Sequence, residues 1–223
     1  MEEKYTVNIL HTEPVTHDVR RIVVQKPAQY SFEPGQATEV AVNKPGWENE
    51  KRPFTFTCLN DEDTLEFTIK VYENHHGVTD QIGMLKPGDQ LILHDVWGSI
   101  QYNGPGYFIA GGAGVTPFIA IFRKLEKEGK LDQHYLLFSN KTEKDIILKE
   151  EFSRLLGDRF INTLTQESKP GYDNRLIDKE YLKEKVHDFD QQFYVCGPKQ
   201  MVKDIRSHLS ELGADTEAVV FER

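Results

Sequence analysis

The sequence has little cysteine: only Cys58 and Cys196 occur among its 223 residues. Two thiols are too few for a disulfide framework or for a four-cysteine iron–sulfur cluster, and we expect no metal site. No apolar run approaches the ~20 residues that a membrane helix needs. The charged N-terminal stretch MEEKYTVNIL lacks the features of a signal peptide. We therefore expect a soluble, cytoplasmic protein with no membrane partner.

The sequence also has fewer basic than acidic side chains. There are 27 Lys and Arg against 36 Asp and Glu, a formal net charge of −9. A nucleic-acid surface needs a basic stripe to displace counterions from phosphates, so we expect no nucleic-acid partner. The deficit is uneven. Residues 1–104 carry 9 basic and 16 acidic side chains, which gives −7, whereas residues 105–223 carry 18 and 20, which gives −2.

The first part of the chain has the pattern of short β-strands. Its apolar or alternating segments are YTVNILHTEPV, VRRIVVQKP, ATEVAVNKP, FTFTCLN, LEFTIKVY and DQLILHDVWGSIQY. Turn-forming residues recur between them, as in EPGQ, NKPG and KPGD. This pattern predicts a small antiparallel barrel or sandwich, with one short helix in GVTDQIGMLKPG.

After Asn103–Gly106 the pattern changes to alternating strands and helices. Strand-like segments are YFIAGG, HYLLFSN, RFINTLTQ, QQFYVCG and AVVFER, and helical segments follow most of them, including DIILKEEFSRLLG. This alternation predicts a parallel sheet covered by helices on both faces. We therefore predict two domains, an antiparallel β-domain at residues 1–104 and an α/β domain at residues 105–223.

Two strand-to-helix junctions in the second domain contain glycine. One holds Gly111, Gly112 and Gly114, with Pro117 in the first helical turn. The other is Cys196–Pro198. Glycine lets a ligand approach the main chain, and a helix N-terminus suits a phosphate. One such junction alone is equally typical of a tight turn in any α/β fold, but two at the carboxyl edge of one sheet favour a pyrophosphate site.

A third candidate element opens a strand of the first domain. Arg52, Phe54 and Thr55 supply a cation, an aromatic ring and a hydroxyl within four residues. Arginine can pair with a diphosphate, a ring can cover another ring, and a hydroxyl can bond a heteroatom. The alternative is an ordinary strand that begins with a surface arginine.

Taken together, RPFT, GGAGVTP and YVCGP resemble the motifs of the ferredoxin–NADP⁺ reductase superfamily, in the same order and in the corresponding halves. Members of that superfamily carry an FAD-binding β-barrel with an R-x-Y-[ST] motif, followed by a nucleotide-binding domain. The resemblance covers essentially the whole chain. It implies an N-terminal FAD-binding barrel and a C-terminal NAD(P)-binding α/β domain.

The resemblance also implies roles for individual residues. Arg52 is expected at the FAD pyrophosphate, Phe54 against the isoalloxazine, and Thr55 near flavin N5. Further contacts to FAD are expected from Pro53, from the main chain of Ile69, Lys70 and Val71, and from a second pyrophosphate clamp at Gly77, Val78 and Thr79. The nicotinamide nucleotide is expected at Gly111, Gly112, Gly114, Thr116, Pro117, Gly197 and Pro198, with Cys196 beside the reactive nicotinamide carbon.

Three side chains after the second strand of the α/β domain bear on the choice of nucleotide. Ser139, Asn140 and Lys141 could bond a 2′-phosphate, which favours NADPH over NADH, although polar residues at a strand end are commonly just solvated. Near the C-terminus, Glu222 resembles the superfamily's active-site acid, and the alternative is a solvated chain end. With Thr55 and Cys196, it completes the expected catalytic set.

The resemblance implies an FAD-dependent NAD(P)H oxidoreductase that passes electrons to a separate acceptor such as ferredoxin or flavodoxin, or to a small molecule. Long-range repulsion from the −7 of residues 1–104 opposes an acidic acceptor. Phe54 replaces the usual tyrosine, as in flavin reductases of the superfamily. A reductase that uses free flavin as substrate is therefore the alternative. A third hypothesis is a non-enzymatic subunit that binds flavin but no pyridine nucleotide.

Overall fold

The computed structural model describes residues 3–98, 100–215 and 219–221. The chain forms two compact units, Met1–Ser99 with Thr116–Lys124, and Ile100–Val115 with Leu125–Arg223. The two-domain assignment at residues 1–104 and 105–223 stays a prediction.

The first unit contains an antiparallel sheet. Its six strands among the described residues are β1 Tyr5–Pro14, β2 Val19–Gln25, β3 Gln36–Val42, β4 Arg52–Thr55, β5 Thr64–Lys70 and β6 Gln90–Gly98. They pair in the order β4-β3-β6-β1-β2-β5. Just beyond β4, Phe56 forms an antiparallel bridge to Phe67 of β5. This bridge joins the two edge strands and curls the sheet, which confirms the predicted antiparallel barrel.

Alternation along the strands fills the barrel core. Ile22 and Val24 of β2 lie beside Leu65 and Phe67 of β5 in that core, as expected for a strand with one inward face. The outward face of β5 is also buried where it carries Glu66. The short helix predicted in GVTDQIGMLKPG is present as α1, Val78–Gly83.

The second unit is built around a parallel sheet. Its strands within the described ranges are β7 Gly106–Gly111, β8 His134–Asn140, β9 Phe160–Leu164, β10 Gln192–Cys196 and β11 Val219–Phe221, in the order β11-β10-β7-β8-β9. The helices of this part of the chain are α2 Thr116–Lys127, α3 Lys149–Leu156, α4 Lys179–Lys185 and α5 Lys199–Glu211. The first nine residues of α2 cluster with the first unit.

Helices cover both faces of the parallel sheet, as predicted. Tyr181 of α4 and Ile205 of α5 share a buried cluster with Ile109 of β7. On the opposite face, the ring of Phe152 of α3 contacts that of Phe160 of β9. Burial on both faces explains why these strands are nearly continuous apolar runs.

One helix starts later than its sequence pattern predicts. The pattern predicts a helix from Asp145, but α3 begins at Lys149. Asp145 ends a short 3₁₀ turn in which its carboxylate and Thr142 form a capping box. Leu148 then adopts a left-handed backbone, with φ of 51°, which interrupts the helical geometry. The prediction was wrong by four residues because the hydrogen bonds of the capping box stabilise a short turn where the apolar periodicity indicates helix.

Candidate functional site

The structure brings the two glycine junctions together. β7 and β10 are parallel neighbours, with Ala110 opposite Cys196. A Cβ atom placed on Gly114 would lie 2.4 Å from the carbonyl oxygen of Cys196 and 2.6 Å from the Cα atom of Gly197. Only glycine permits this approach of one main chain to the other. The two turns therefore form one surface at the carboxyl edge of the sheet.

The glycines of this surface expose main chain, with the side chains of Met201 and Pro198 beside Gly111. Gly112 has φ of 53°, and a Cβ atom there would have no heavy atom within 4 Å, so its main chain is open to a ligand. Helix α2 begins at Thr116, and the buried Pro117 lies in its first turn, where a missing N–H donor is tolerated. The Cys196 side chain is only 1% exposed. Its placement beside a nicotinamide stays a prediction.

The polar residues at the end of β8 differ in exposure. Ser139 is half-buried and Lys141 is exposed. Asn140 is 5% exposed, and neither its amide oxygen nor its amide nitrogen has a hydrogen-bond partner in the described part of the chain. Of the three, Lys141 is the most accessible to a 2′-phosphate, and the role of all three stays a prediction.

An acid that the sequence reasoning missed follows β8. The carboxylate of Glu143 accepts hydrogen bonds from Lys149 at 2.5 Å, from the hydroxyl of Tyr172 at 2.8 Å, and from Lys169. These bonds lower the pKa of Glu143 to about 2. Since its lone pairs are already engaged, Glu143 ties together the segments after β8 and β9. The available signal was its position three residues beyond a strand end.

In the first unit, β4 displays the RPFT residues at different depths. Arg52 and Pro53 are exposed, and the guanidinium of Arg52 donates to the carbonyl oxygen of Lys51 at 2.6 Å. Among the described residues, Arg52 has no acidic partner. Phe54 is half-buried against the edge of the barrel core. The cation is thus available to an anionic ligand, while part of the ring is still exposed.

Thr55 is the unusual member of this group. Its side chain is buried, at 5% exposure, and its hydroxyl has no hydrogen-bond partner among the residues that the structure describes. A buried hydroxyl normally finds a partner, because desolvating it without one costs about 1–3 kcal/mol. A buried hydroxyl without a protein partner is available to a ligand or to an ordered water.

The main chain around Lys70 lies on a sheet edge. β5 is an edge strand of the barrel, and the amide of Val71 donates to the carbonyl oxygen of Asp18 at 2.8 Å beside β2. Because backbone groups alternate in direction along an antiparallel strand, those of Lys70 point away from β2. The side chain of Ile69 lies in the core. Main-chain contacts to a flavin along this edge stay a prediction.

The second expected clamp precedes and opens α1. Gly77 caps this helix with an extended backbone, and the side chain of Val78 is 1% exposed in the barrel core. Thr79 is half-buried. Any contact to a phosphate by Gly77 and Val78 must therefore come from their main chain. Glu222, the expected C-terminal acid, lies outside the described residues.

Comparisons with known proteins find a matching family model and several relatives of similar sequence. The family model for the oxidoreductase NAD-binding domain matches residues 108–207. NADH-cytochrome b5 reductase 1 of Mycosarcoma maydis is 30% identical over 201 residues, 83% of this chain and 61% of that protein. The chain spans 61% to 64% of the length of this protein and of two further curated relatives, NADH-cytochrome b5 reductase 2 of the same organism and a propane 2-monooxygenase reductase component of Rhodococcus jostii.

Solved structures share the fold over nearly the whole chain. The FAD/NAD-binding domain of nitric oxide dioxygenase from Vibrio cholerae has a TM-score of 0.87 at 21% identity, over 97% of both chains. A ferredoxin NADP⁺ reductase from Neisseria gonorrhoeae with bound FAD and NADP has a TM-score of 0.81 at 20% identity, over 94% of this chain and 92% of that one.

Proposed function

We propose that this chain is a member of the ferredoxin–NADP⁺ reductase superfamily, and that it is an FAD-containing NAD(P)H reductase that delivers electrons to a separate acceptor. The match of residues 108–207 to the oxidoreductase NAD-binding domain supports this proposal. The observation that carries the proposal is the buried hydroxyl of Thr55, which has no partner in the part of the chain that the structure describes, on the strand that begins with the exposed Arg52. Such a pair suits a ligand with a diphosphate at one end and a ring heteroatom at the other.

The residues of the first unit fit FAD. Arg52 is available to the diphosphate, the partly exposed ring of Phe54 can cover the flavin, and Thr55 can hydrogen-bond a flavin heteroatom. The outward backbone of Lys70 and the N–H groups at the start of α1 add donors and an acceptor. When bound, FAD supplies the redox chemistry, accepting a hydride from NAD(P)H and passing electrons onward.

The second unit would hold the nicotinamide nucleotide on its glycine surface. The main chain at Gly112, whose Cβ position is open space, can accept the pyrophosphate. The N–H groups at the start of α2, which follows directly in the chain, also suit a phosphate. The backbones of Gly114 and Gly197 pack together at this edge, where the Met201 side chain lies close to Gly197. Thr116 can add a hydroxyl, and Cys196 would lie beside the nicotinamide. Lys141 is the candidate that favours NADPH over NADH.

The acceptor is proposed to be a one-electron carrier protein, with ferredoxin or flavodoxin as the leading candidates. Among the relatives, a Pseudomonas putida protein is the ferredoxin–NAD(P)⁺ reductase component of a naphthalene dioxygenase system, and others are NADH-cytochrome b5 reductases. No helix among the described residues has the length and apolar character required to cross a bilayer.

The visible spectrum of the purified chain tests the proposal. A yellow protein whose flavin bleaches under anaerobic NADPH or NADH is the expected result. A colourless protein that instead reduces added FMN or riboflavin would favour the free-flavin reductase, which the hydroxyl-free ring of Phe54 supports. Bound flavin that neither nucleotide reduces would favour the non-enzymatic flavin-binding subunit.

A further inference from the structure

We infer that Glu66 is a positioning residue for the proposed reaction. It engages the hydroxyl of Thr57 and the guanidinium of Arg123, and so leaves the hydroxyl of Thr55 unengaged on the same strand face. The inference rests on the proposed function, since it concerns how Thr55 is presented to the flavin. Every residue involved belongs to the first unit.

The carboxylate of Glu66 is the centre of a buried network. It is 4% exposed in the middle of β5. One of its oxygens accepts from the Thr57 hydroxyl at 2.8 Å and from Nη1 of Arg123 at 2.7 Å. The other oxygen accepts from Nε of Arg21 at 2.6 Å. A buried carboxylate requires such partners, because a buried charge without them is strongly disfavoured.

The network also fixes the main chain that follows β4. Nη1 of Arg123 donates to the carbonyl oxygen of Thr57 at 2.7 Å, and the amide of Thr57 donates to the carbonyl oxygen of Glu66 at 2.9 Å. The amide of Glu66 in turn donates to the sulfur of Cys58 at 3.1 Å. Thr57 is therefore held through its side chain, its amide and its carbonyl group.

Thr55 is the last residue of β4, and Thr57 follows it just beyond the bridge that Phe56 makes to Phe67. In extended backbone, side chains two residues apart lie on the same side of the chain, and Phe56 between them lies in the core. The Thr57 hydroxyl donates to Glu66, and the Thr68 hydroxyl donates to the oxygen of Thr57 at 3.3 Å. Of these three threonines, Thr55 is the one whose hydroxyl has no partner within residues 3–98, 100–215 and 219–221. Because the Thr57 hydroxyl and Arg123 both donate to Glu66, the inference is that this carboxylate keeps them from donating to the Thr55 oxygen.

This arrangement predicts how a change at Glu66 reaches the flavin. In Glu66→Gln, the two guanidinium groups of Arg21 and Arg123 lose the charge that they share. Arg123 keeps the carbonyl oxygen of Thr57 as an acceptor but loses its charged partner, and we infer that it then donates to the Thr55 oxygen as well. The effect on hydride transfer should therefore pass through the Thr55 hydroxyl and disappear when that hydroxyl is absent.

A double-mutant cycle tests this coupling. We would compare wild type, Thr55→Val, Glu66→Gln and the double variant, each with bound FAD, by anaerobic stopped-flow reduction with saturating NADPH or NADH and by the flavin visible spectrum. Loss of one hydrogen bond should slow reduction about tenfold in Thr55→Val, and Glu66→Gln should slow it about threefold to tenfold. The double variant should match Thr55→Val in rate and spectrum.

The matched control is Glu13→Gln. Glu13 accepts from Nη1 of the same Arg21 at 2.8 Å but contacts neither Thr57 nor Arg123 among the described residues. It should stay within about twofold of wild type, as expected for an exposed pair. If Glu66→Gln slowed reduction by the same factor with or without the Thr55 hydroxyl, the inference would be overturned.

The cycle separates this inference from the proposed function. If Thr55→Val left both rate and spectrum unchanged, the placement of flavin at Thr55 would itself fail. If Glu66→Gln did not fold, Thr57→Ser and Thr57→Val would decide, because only serine keeps the hydroxyl that Glu66 binds. Thr57→Ser should then reproduce the wild-type spectrum and rate, while equal slowing by both variants would contradict the inference.

Discussion

The candidate site of the second unit is formed by main chain, whereas that of the first unit is formed by side chains. In the second unit, the surface at Gly112, Gly114 and Gly197 is main chain, and its shape depends on where a side chain is absent. In the first unit, the candidate site depends on side chains, the hydroxyl of Thr55 and the buried network around Glu66. A backbone site is specified locally by glycine, whereas a side-chain site depends on partners distant in sequence.

This difference predicts that the first unit is the more sensitive to loss of a single charge. Glu66→Gln should lower the free energy of unfolding by about 3 kcal/mol at pH 7, since breaking a buried ion pair leaves uncompensated charge. Chemical denaturation of wild type and variant measures the difference. The exposed Glu13→Gln should change stability far less.

The same variant gives a pH dependence with a defined sign. Burial raises the pKa of Glu66, but Arg123, Thr57 and Arg21 outweigh burial and hold that pKa below its ordinary value of 4.5. The ion-pair contribution is therefore complete above pH 4.5 and is lost as the pH falls through the lowered pKa. The stability gap between wild type and Glu66→Gln should shrink below pH 4.5. A gap that stayed constant in acid would contradict an ionised Glu66.

The backbone surface predicts a large effect from one methyl group. Gly114→Ala would place a Cβ atom 2.4 Å from the carbonyl oxygen of Cys196, and the backbone must shift to relieve the clash. We expect kcat/KM for NAD(P)H to fall at least about tenfold, or ~1.4 kcal/mol, with flavin content unchanged. Gly98→Ala is the control, since its Cβ atom would meet only Nε2 of Gln36 at 3.9 Å. If Gly114→Ala lost bound flavin by the same factor as kcat/KM, the variant would have a general folding defect.

These contrasts explain what the sequence could predict. The strands, most of the helices and the change from an antiparallel to a parallel sheet follow from periodicity and turn residues. Both glycine junctions lie, as predicted, where a strand ends and a helix follows. Glu66 was missed because a single acid within LEFTIK does not reveal that Arg123, 57 residues later in the chain, lies beside it. Glu143 was missed for the same reason, since its partner Lys169 is 26 residues away. Only tertiary register brings such partners together.

A matched pair of threonine variants sharpens the comparison within the first unit. Thr57→Val removes the hydroxyl that donates to Glu66 and should destabilise the flavin-free protein by about 1–2 kcal/mol. Thr55→Val removes a hydroxyl with no described partner, so it should leave the flavin-free protein as stable as wild type or slightly more so. Thermal unfolding of the flavin-free forms measures both. If the two variants were equally destabilised, Thr55 would have a structural partner, and its assignment to a ligand would lose its basis.

The smallest effect is expected from Lys141, a side chain of the second unit, whose candidate site is otherwise formed by main chain. Lys141 is exposed at the end of β8, where an exposed charge contributes up to about 1 kcal/mol. Lys141→Ala should raise KM for NADPH about threefold to fivefold and leave KM for NADH unchanged. Lys144→Ala, also exposed three residues on, is the control. An equal rise for both nucleotides would mean that Lys141 does not contact the 2′-phosphate. A rise beyond tenfold would mean that this unit, too, relies on a side chain for binding.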